Sequence, residues 1–510
     1  MKYRLMVLIC CILAGFLFWY TTPFGVGLTN DSSAYIGGAR SLLAGQGYVR
    51  IGGDGLPRPI THFPPFYSIV LAGASRLTGL DPLAAAKWFN LCCAVLNQAL
   101  FMASVLLLTG SEGAAVLGGI TFLCAGPVLQ GHVYGLSEAL YLTLFFSVFL
   151  LSVDAVRKRK LGTWCAIGVL SAALALTRYA GLAAVGACAV YILCALPLWK
   201  ERIRDLILYL LGFAAPFGIW LVKGSGEGGS AVNRSLSLHL PAADKVEEGI
   251  RNFAGFFLPE FGGFVERFLP FWGVMTVVGL LVLLGLVIFF GLKGFFRPSG
   301  DLAASALFPP ALHGAAYAVM LGITVCFVDG STLFDNRILL PFYVCMMLLI
   351  AAVCSLFLQK RRWRIAAVAV MLIFAALLFE DEWDLIREFH RNGQGFAGEE
   401  WRESETRLAA LELPKDKLIF SNRQTALNLL NGQPCFILPP MFDSASFTER
   451  ESFEADKKWM TEEVLSGNAY VVVFNYQDMM EDEGDRAWLE NILSDVPLLK
   501  EYRDGAVFGK

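Results

Sequence analysis

Charge is scarce in this chain. Asp, Glu, Lys and Arg supply 17% of its 510 residues, against about a quarter in ordinary soluble domains, and that shortfall excludes a soluble protein of ordinary composition. No CxxC spacing occurs among the 12 cysteines, so neither a zinc site nor a disulfide framework is indicated. All but Cys435 sit inside apolar runs, where a thiol behaves as a small hydrophobe. The polar C-terminal part holds no Gly-rich nucleotide loop and no nucleophile signature, and no nucleic-acid partner is expected.

What the chain has instead is apolar length. Hydrophobic residues make up 56% and the mean hydropathy is +0.57, the composition of an integral membrane protein. Crossing the hydrocarbon takes about 20 apolar residues. Eleven stretches meet that ruler, near 5–26, 84–108, 113–130, 136–153, 162–178, 180–199, 205–222, 271–292, 303–326, 338–358 and 365–380. Clustered cations fall at Arg157–Lys160, Lys200–Arg204, Lys293–Arg297 and Lys360–Arg364, all on the same side as Lys2 and Arg4. The positive-inside rule therefore puts the N-terminus in the cytoplasm, with the chain in the plasma (inner) membrane. An odd number of spans then exports the tail together with the 28–83 and 223–270 loops. The first span is expected to stay as an anchor, since no clear cleavage site follows it.

Most acids lie after Glu380, which divides the chain into a membrane part, 1–380, and a polar tail, 381–510. The tail alternates strand-like runs (KLIFS, PCFIL, AYVVVFNY, AVFG) with helical stretches near 447–464 and 482–494, the pattern of a small α/β domain. Residues 381–402 are expected as a surface connector. The expected fold is thus a polytopic α-helical membrane protein of about 11 spans with a small extracytoplasmic α/β domain.

Asp31 follows the first span by a few residues, at headgroup height. Opening the amphipathic stretch Ala34–Ala44, it or Ser32 would serve as a helix N-cap. A second surface helix is expected from Pro65 to Thr78. Arg178 and Arg337 lie at the exported ends of predicted spans, where the positive-inside bias disfavours arginine. They either snorkel to lipid headgroups or bind phosphate through paired donors. Glu138 heads the fourth span beside His132 and Tyr134. A dipole-stabilised structural role and an active-site role are both open to it.

Several stretches occur in one collinear order: Asp31 with YIGGARSLLAGQGY, then HFPPFYSIVLAGASRLTGLDPLAAAKWFN, GLSEALYLTLFFSVFLL from Gly135, GVLSAALALTRYAGL from Gly168 and DNRILLPFYVCMMLLI from Asp335. Together they resemble the GT-C superfamily of membrane glycosyltransferases, in the branch of protein O-mannosyltransferases and lipid A aminoarabinose transferases. In the tail, LPKDKLIFSNRQTALNLLNGQPCFILPP is similar to the segment that opens the exported domain in many bacterial members. The resemblance implies a transferase that takes a sugar from a polyprenyl-phosphate donor at the outer face and passes it to a lipid, glycan or protein acceptor. It implies Asp31 as general base, with inversion at the anomeric carbon. Related loops often carry two adjacent acids, whereas here Asn30 is the neighbour. Asp54 and His62 are secondary substrate-binding candidates. Metal dependence varies in the family, and Asp31 with His62 are the residues that would hold a divalent cation, Mg or Mn. The rival readings are a lipid-linked-sugar transporter or flippase, an oligosaccharide ligase, and a non-catalytic sugar-lipid binding protein. No internal repeat supports a transporter.

Overall fold

Inside hydrocarbon a chain must satisfy its own backbone polar groups, and apolar runs of this length do so as helices. The computed structural model describes residues 2–52, 56–159, 162–226, 238, 241–258, 262–297, 301–328, 332–432, 434–442 and 450–510. Asp54 lies outside the described residues. The first part runs α1 (Lys2–Thr21), α2 (Asn30–Leu43), a hairpin of β1 (Val49–Ile51) and β2 (Pro57–Pro59), α3 (Phe66–Thr78), α4 (Pro82–Thr109), α5 (Glu112–Leu123) and α6 (Gly126–Val133). Next come α7 (Glu138–Lys158), α8 (Thr163–Thr177), α9 (Gly181–Ala195), α10 (Trp199–Gly226), α11 (Ala243–Phe257) and α12 (Gly262–Arg267). α13 (Leu269–Phe296), α14 (Asp301–Ala304), α15 (Phe308–Ile323), α16 (Asn336–Leu358) and α17 (Arg361–Asn392) complete it.

Among the described residues, eight helices are long and apolar enough to cross a membrane: α1, α4, α7, α10, α13, α15 with its extension to Val328, α16 and α17. A ninth span is available if α5 and α6, bent by 62° at their break, count as one. The expected 113–130 span is this bent pair, broken where Ala125 turns extended and Pro127 enters the first turn of α6. α8 and α9 have 15 residues each, about 22 Å at 1.5 Å per residue, shorter than the roughly 30 Å hydrocarbon core. All eleven apolar stretches are thus helical, eight of them as full-length helices, and the chain is a multi-pass membrane protein.

Small residues set how tightly these helices pack. A Cβ at Gly168 in α8 would fall 2.1 Å from the Tyr209 carbonyl oxygen of α10, and one at Gly212 in α10 would fall 2.1 Å from that of Cys165. Backbone therefore touches backbone where α8 crosses α10.

α17 outlasts its apolar run. Met371, Ala375, Leu378, Glu382, Ile386 and Phe389 are buried at steps of three and four, one helical stripe. The expected connector at 381–402 is therefore helix to Asn392, and the expected boundary at 380 falls inside it. The chain divides into two units, Met1–Pro23 with Thr61–Val70 and Ala84–Arg391, and Phe24–Ile60 with Leu71–Leu83 and Asn392–Lys510. Most of the loop after the first span thus belongs with the tail.

The tail contains α18 (Glu399–Arg402), α19 (Glu405–Glu412), β3 (Leu418–Ser421), α20 (Gln424–Asn431), β4 (Cys435–Ile437), α21 (Phe453–Leu465) and β5 (Ala469–Phe474). α22 (Tyr476–Glu481), α23 (Glu483–Leu493), β6 (Leu498–Tyr502) and β7 (Gly505–Phe508) follow. Its sheet has the order β4-β3-β5-β7-β6, parallel across β4, β3 and β5 and antiparallel on to β7 and β6. Val471 and Val473 pack with Met460, Leu489 and Ile492, while Val472 and Phe474 pack with Ala410 and Leu427. Both faces are covered by helices, as a parallel sheet requires.

Asp504 joins this sheet to α19 by accepting the Thr406 N–H at 3.1 Å and its hydroxyl at 2.8 Å. Burial alone would raise its carboxyl, but hydrogen bonds from Ser404 and Thr406 outweigh it and hold the group below its usual range. The folded value thus lies under the unfolded one of about 3.9. Its contribution to stability is complete above that value and is lost as pH falls through the lowered one. Asp504→Asn is expected to weaken the acid-induced rise in hydrogen exchange of the β5 and β7 amides below pH ~4. An unaltered acid limb would contradict this role.

Candidate active site

Three predicted site residues meet in the first unit. Glu138 opens α7, Arg178 follows the last turn of α8 in extended conformation, and Arg337 lies in the first turn of α16. Glu138 Oε1 accepts from both Arg178 Nη1 and Arg337 Nε. The carboxylate side chain is 3% exposed, Arg178 is 12% and Arg337 is 28% exposed, so the cluster grades from a buried anion to a partly open guanidinium. One carboxylate balances only one of two guanidiniums, and the trio carries net positive charge. Of the two roles open to Glu138, counter-ion and orienter of both arginines is the one its contacts support.

The segment before Arg337 is braced on several sides. Asp335 caps α16, its Oδ1 accepting the Ile338 N–H at 2.8 Å. Asn336 Oδ1 accepts the Tyr343 hydroxyl at 3.2 Å, and the Phe334 carbonyl accepts Asn252 Nδ2 of α11 at 2.9 Å. Phe256 of α11 stacks on Tyr343 at 4.1 Å. Tyr317 of α15 donates to the Ile338 carbonyl.

The start of α7 is held by a buried polar network. Asn90 and Asn97, seven residues apart on α4, share one helix face. Asn90 Nδ2 donates to the carbonyls of His132 (2.9 Å) and Tyr134 (2.7 Å), and Asn90 Oδ1 accepts the Tyr67 hydroxyl at 3.3 Å. Asn97 Nδ2 reaches His132 Nε2 at 2.9 Å and the Ala139 carbonyl at 3.0 Å, and its Oδ1 accepts from Thr143 at 2.8 Å. His132 Nδ1 lies 2.6 Å from the Val128 carbonyl, an acceptor, so the proton sits on Nδ1 and Nε2 accepts from Asn97. This fixes a neutral imidazole that positions the turn before Glu138. His132 stands beside Glu138 in the sequence, but Asn90 and Asn97 are found there only as amides inside an apolar run.

Asp31 belongs to the second unit. It is half-buried in the first turn of α2, whose N-cap position is Thr29. The expectation that Asp31 or Ser32 caps this helix is thus corrected: the helix begins four residues earlier than Ala34, and Ser32 accepts the Thr29 N–H at 3.0 Å. An acid at this position lies where the helix dipole favours negative charge. His62 is exposed in the segment before α3, in the first unit. Among the described residues no three His, Cys, Asp or Glu side chains converge as metal ligands. Glu382, expected in a solvated connector, is instead buried in α17, neither carboxylate oxygen having a hydrogen-bond partner among the described residues.

No family model matches the sequence, and no curated protein matches it. Solved structures do. ArnT from Cupriavidus metallidurans, bound to undecaprenyl phosphate, matches with a TM-score of 0.53 at 16% identity, over 99% of this chain and 97% of that one. The oligosaccharyltransferase AglB from Archaeoglobus fulgidus, in complex with an inhibitory peptide and a dolichol-phosphate, gives 0.51 at 13% identity, over 96% and 72%. The arabinofuranosyltransferase AftD from Mycobacteria gives 0.57 at 14% identity, over 99% of this chain and 41% of that one. At such identities the likeness is one of architecture: the chain shares the fold of these three solved structures.

Proposed function

We propose that the chain is an inverting glycosyltransferase that moves a sugar from a polyprenyl-phosphate donor to an acceptor hydroxyl at the extracytoplasmic face. The observation that carries this reading is the pair of guanidiniums, Arg178 and Arg337, gathered on one buried carboxylate in a membrane-embedded unit. Fixed, permanently charged forks suit a phosphate whose lipid tail stays in the bilayer. Lipid phosphates are also what ArnT and AglB hold in their solved complexes. The side of the membrane follows from charge. Glu138 opens α7, which ends in Arg157 and Lys158, and Arg337 opens α16, which is followed by Lys360 to Arg364. The cluster thus occupies the helix ends opposite the basic loops, and the basic loops face the cytoplasm.

The reaction is a single displacement. The acceptor oxygen bonds to the anomeric carbon as the bond from that carbon to the phosphate oxygen breaks, and the configuration inverts. The hydroxyl proton passes to the Asp31 carboxylate. The electron pair departs on polyprenyl phosphate, whose charge Arg178 and Arg337 neutralise. Glu138 takes no proton and holds both guanidiniums in place. Lipid, glycan and protein hydroxyls all meet the acceptor chemistry.

Arg337→Ala tests the phosphate site, because Arg178 still neutralises Glu138 in that variant. Losing a charge-assisted hydrogen-bonding partner worth about 1.5–3 kcal/mol predicts undecaprenyl phosphate binding weakened roughly 10- to 100-fold in nanodiscs. Equal affinity in the two proteins would take the lipid phosphate away from this cluster, and the reading with it.

A further inference from the structure

α2 is a 14-residue helix, a length at which isolated helices are marginal in water, and it is fastened to the tail at both ends. Ahead of it, Leu28 forms a parallel bridge with Gly395. The Leu28 N–H donates to the Gln394 carbonyl at 3.3 Å, and the Phe396 N–H donates to the Leu28 carbonyl at 2.9 Å. Gly395 has φ +57°, and a Cβ there would stand 1.9 Å from the Leu28 carbonyl oxygen. Any other residue would push the two strands apart.

At the other end, Arg40 in the last turn of α2 spends its guanidinium on two partners. Nε and Nη2 fork onto both oxygens of Asp81 at 3.0 and 2.9 Å, and Nη1 donates to the Leu429 carbonyl of α20 at 2.9 Å. The Asp81 carboxyl lies below its usual range: burial would raise it, and hydrogen bonding and charge from Arg40 prevail. Arg402 adds a third tie, its guanidinium 3.4 Å from the Phe24 ring centre. These attachments come from three places in the tail sequence, one onto α2 itself and two onto the segment just ahead of it.

We propose that the C-terminal domain is a positioning device for α2, with Gly395 and Arg40 as the positioning residues that fix where Asp31 stands. The consequence for catalysis rests on the base role proposed for Asp31, whereas the mechanical part does not. A displacement of about 1 Å in a catalytic group can lower a rate roughly 100-fold. Loosening α2 therefore acts on turnover and leaves the affinity for the lipid phosphate, bound in the other unit, unchanged.

Hydrogen exchange on the full chain in nanodiscs tests the mechanical part. Gly395→Ala and Arg40→Ala are expected to speed exchange of the α2 amides at least tenfold while exchange in α7 and α16 is unaltered. Arg40→Lys, which keeps charge against Asp81 and gives up the fork, is expected between wild type and Arg40→Ala. Should Gly395→Ala not fold, the half-exposed Arg40 position still gives the answer. Unaltered α2 exchange in a folded Arg40→Ala variant would overturn the inference. Turnover tests the catalytic part, read as undecaprenyl phosphate released from undecaprenyl-phosphate-linked pentoses and hexoses as lipid, glycan or peptide acceptors in the assay take up the sugar. The expected split is kcat lowered at least tenfold in Arg40→Ala with KM for the lipid unchanged. Loosened α2 with wild-type kcat would overturn the positioning role. A wild-type protein that releases no lipid phosphate from any donor would instead defeat the proposed function, and the exchange result would still decide whether the tail holds α2.

Discussion

Glu138→Gln is expected to destabilise the fold by about 3–5 kcal/mol, the range for removing one partner of a buried ion pair. The side chain sizes match, so packing hardly changes. What changes is charge: two guanidiniums, one largely buried and one partly, face each other with no carboxylate between them. Thermal unfolding in nanodiscs reads the loss directly. Added undecaprenyl phosphate is expected to restore part of it, because an anion that binds only the folded cluster stabilises by mass action and replaces the missing counter-charge. Glu138→Asp keeps the charge on a shorter arm and is expected to fall between the two. A Glu138→Gln protein that melts like wild type would mean that the arginines do not depend on this carboxylate, and the cluster as described would be wrong.

Asp31→Asn is expected to reduce turnover about 10²- to 10⁴-fold, the usual contribution of a general base. The amide keeps the size of the side chain and can no longer take a proton. Donor affinity is expected to stay at the wild-type value, since Arg178 and Arg337 lie in the other unit, and exchange of the α2 amides is expected to stay protected. A variant that turns over at the wild-type rate would remove Asp31 as the base while leaving the phosphate cluster standing.

Much of the membrane part was legible because hydropathy and length act locally. Each apolar stretch became helix, and the break at Arg178 was visible as a cation inside a run too long for one span. Helix ends were harder, because they depend on neighbours. α17 continues past Glu380 through charged residues because Ile386 and Phe389 extend its buried stripe. In the tail, β3, β4, β5 and β7 announced themselves as short apolar runs, as strands covered on both faces do, whereas Leu498 to Glu501 of β6 are all exposed and carry no such pattern. The pairing of Leu28 with Gly395 joins positions far apart in sequence, and no local signal predicts it.

The candidate site was legible as residue types at helix ends. Arginine on the expected outer side and an acid at a helix start were the signals for Arg178, Arg337 and Glu138. That a single carboxylate oxygen serves both arginines is a tertiary fact, since it brings together the start of α7, the end of α8 and the start of α16. The separation of Asp31 and His62 into different units is tertiary in the same sense.

Chemical transfer and transport of the lipid-linked sugar part in a single two-product assay. Purified protein in liposomes receives an undecaprenyl-phosphate-linked sugar on the face bearing the tail, with lipid, glycan and peptide acceptors. Undecaprenyl phosphate is expected to appear in step with glycosylated acceptor, one for one and with inverted anomeric configuration. Intact donor crossing between leaflets, with no lipid phosphate released across the whole panel, would contradict chemical transfer.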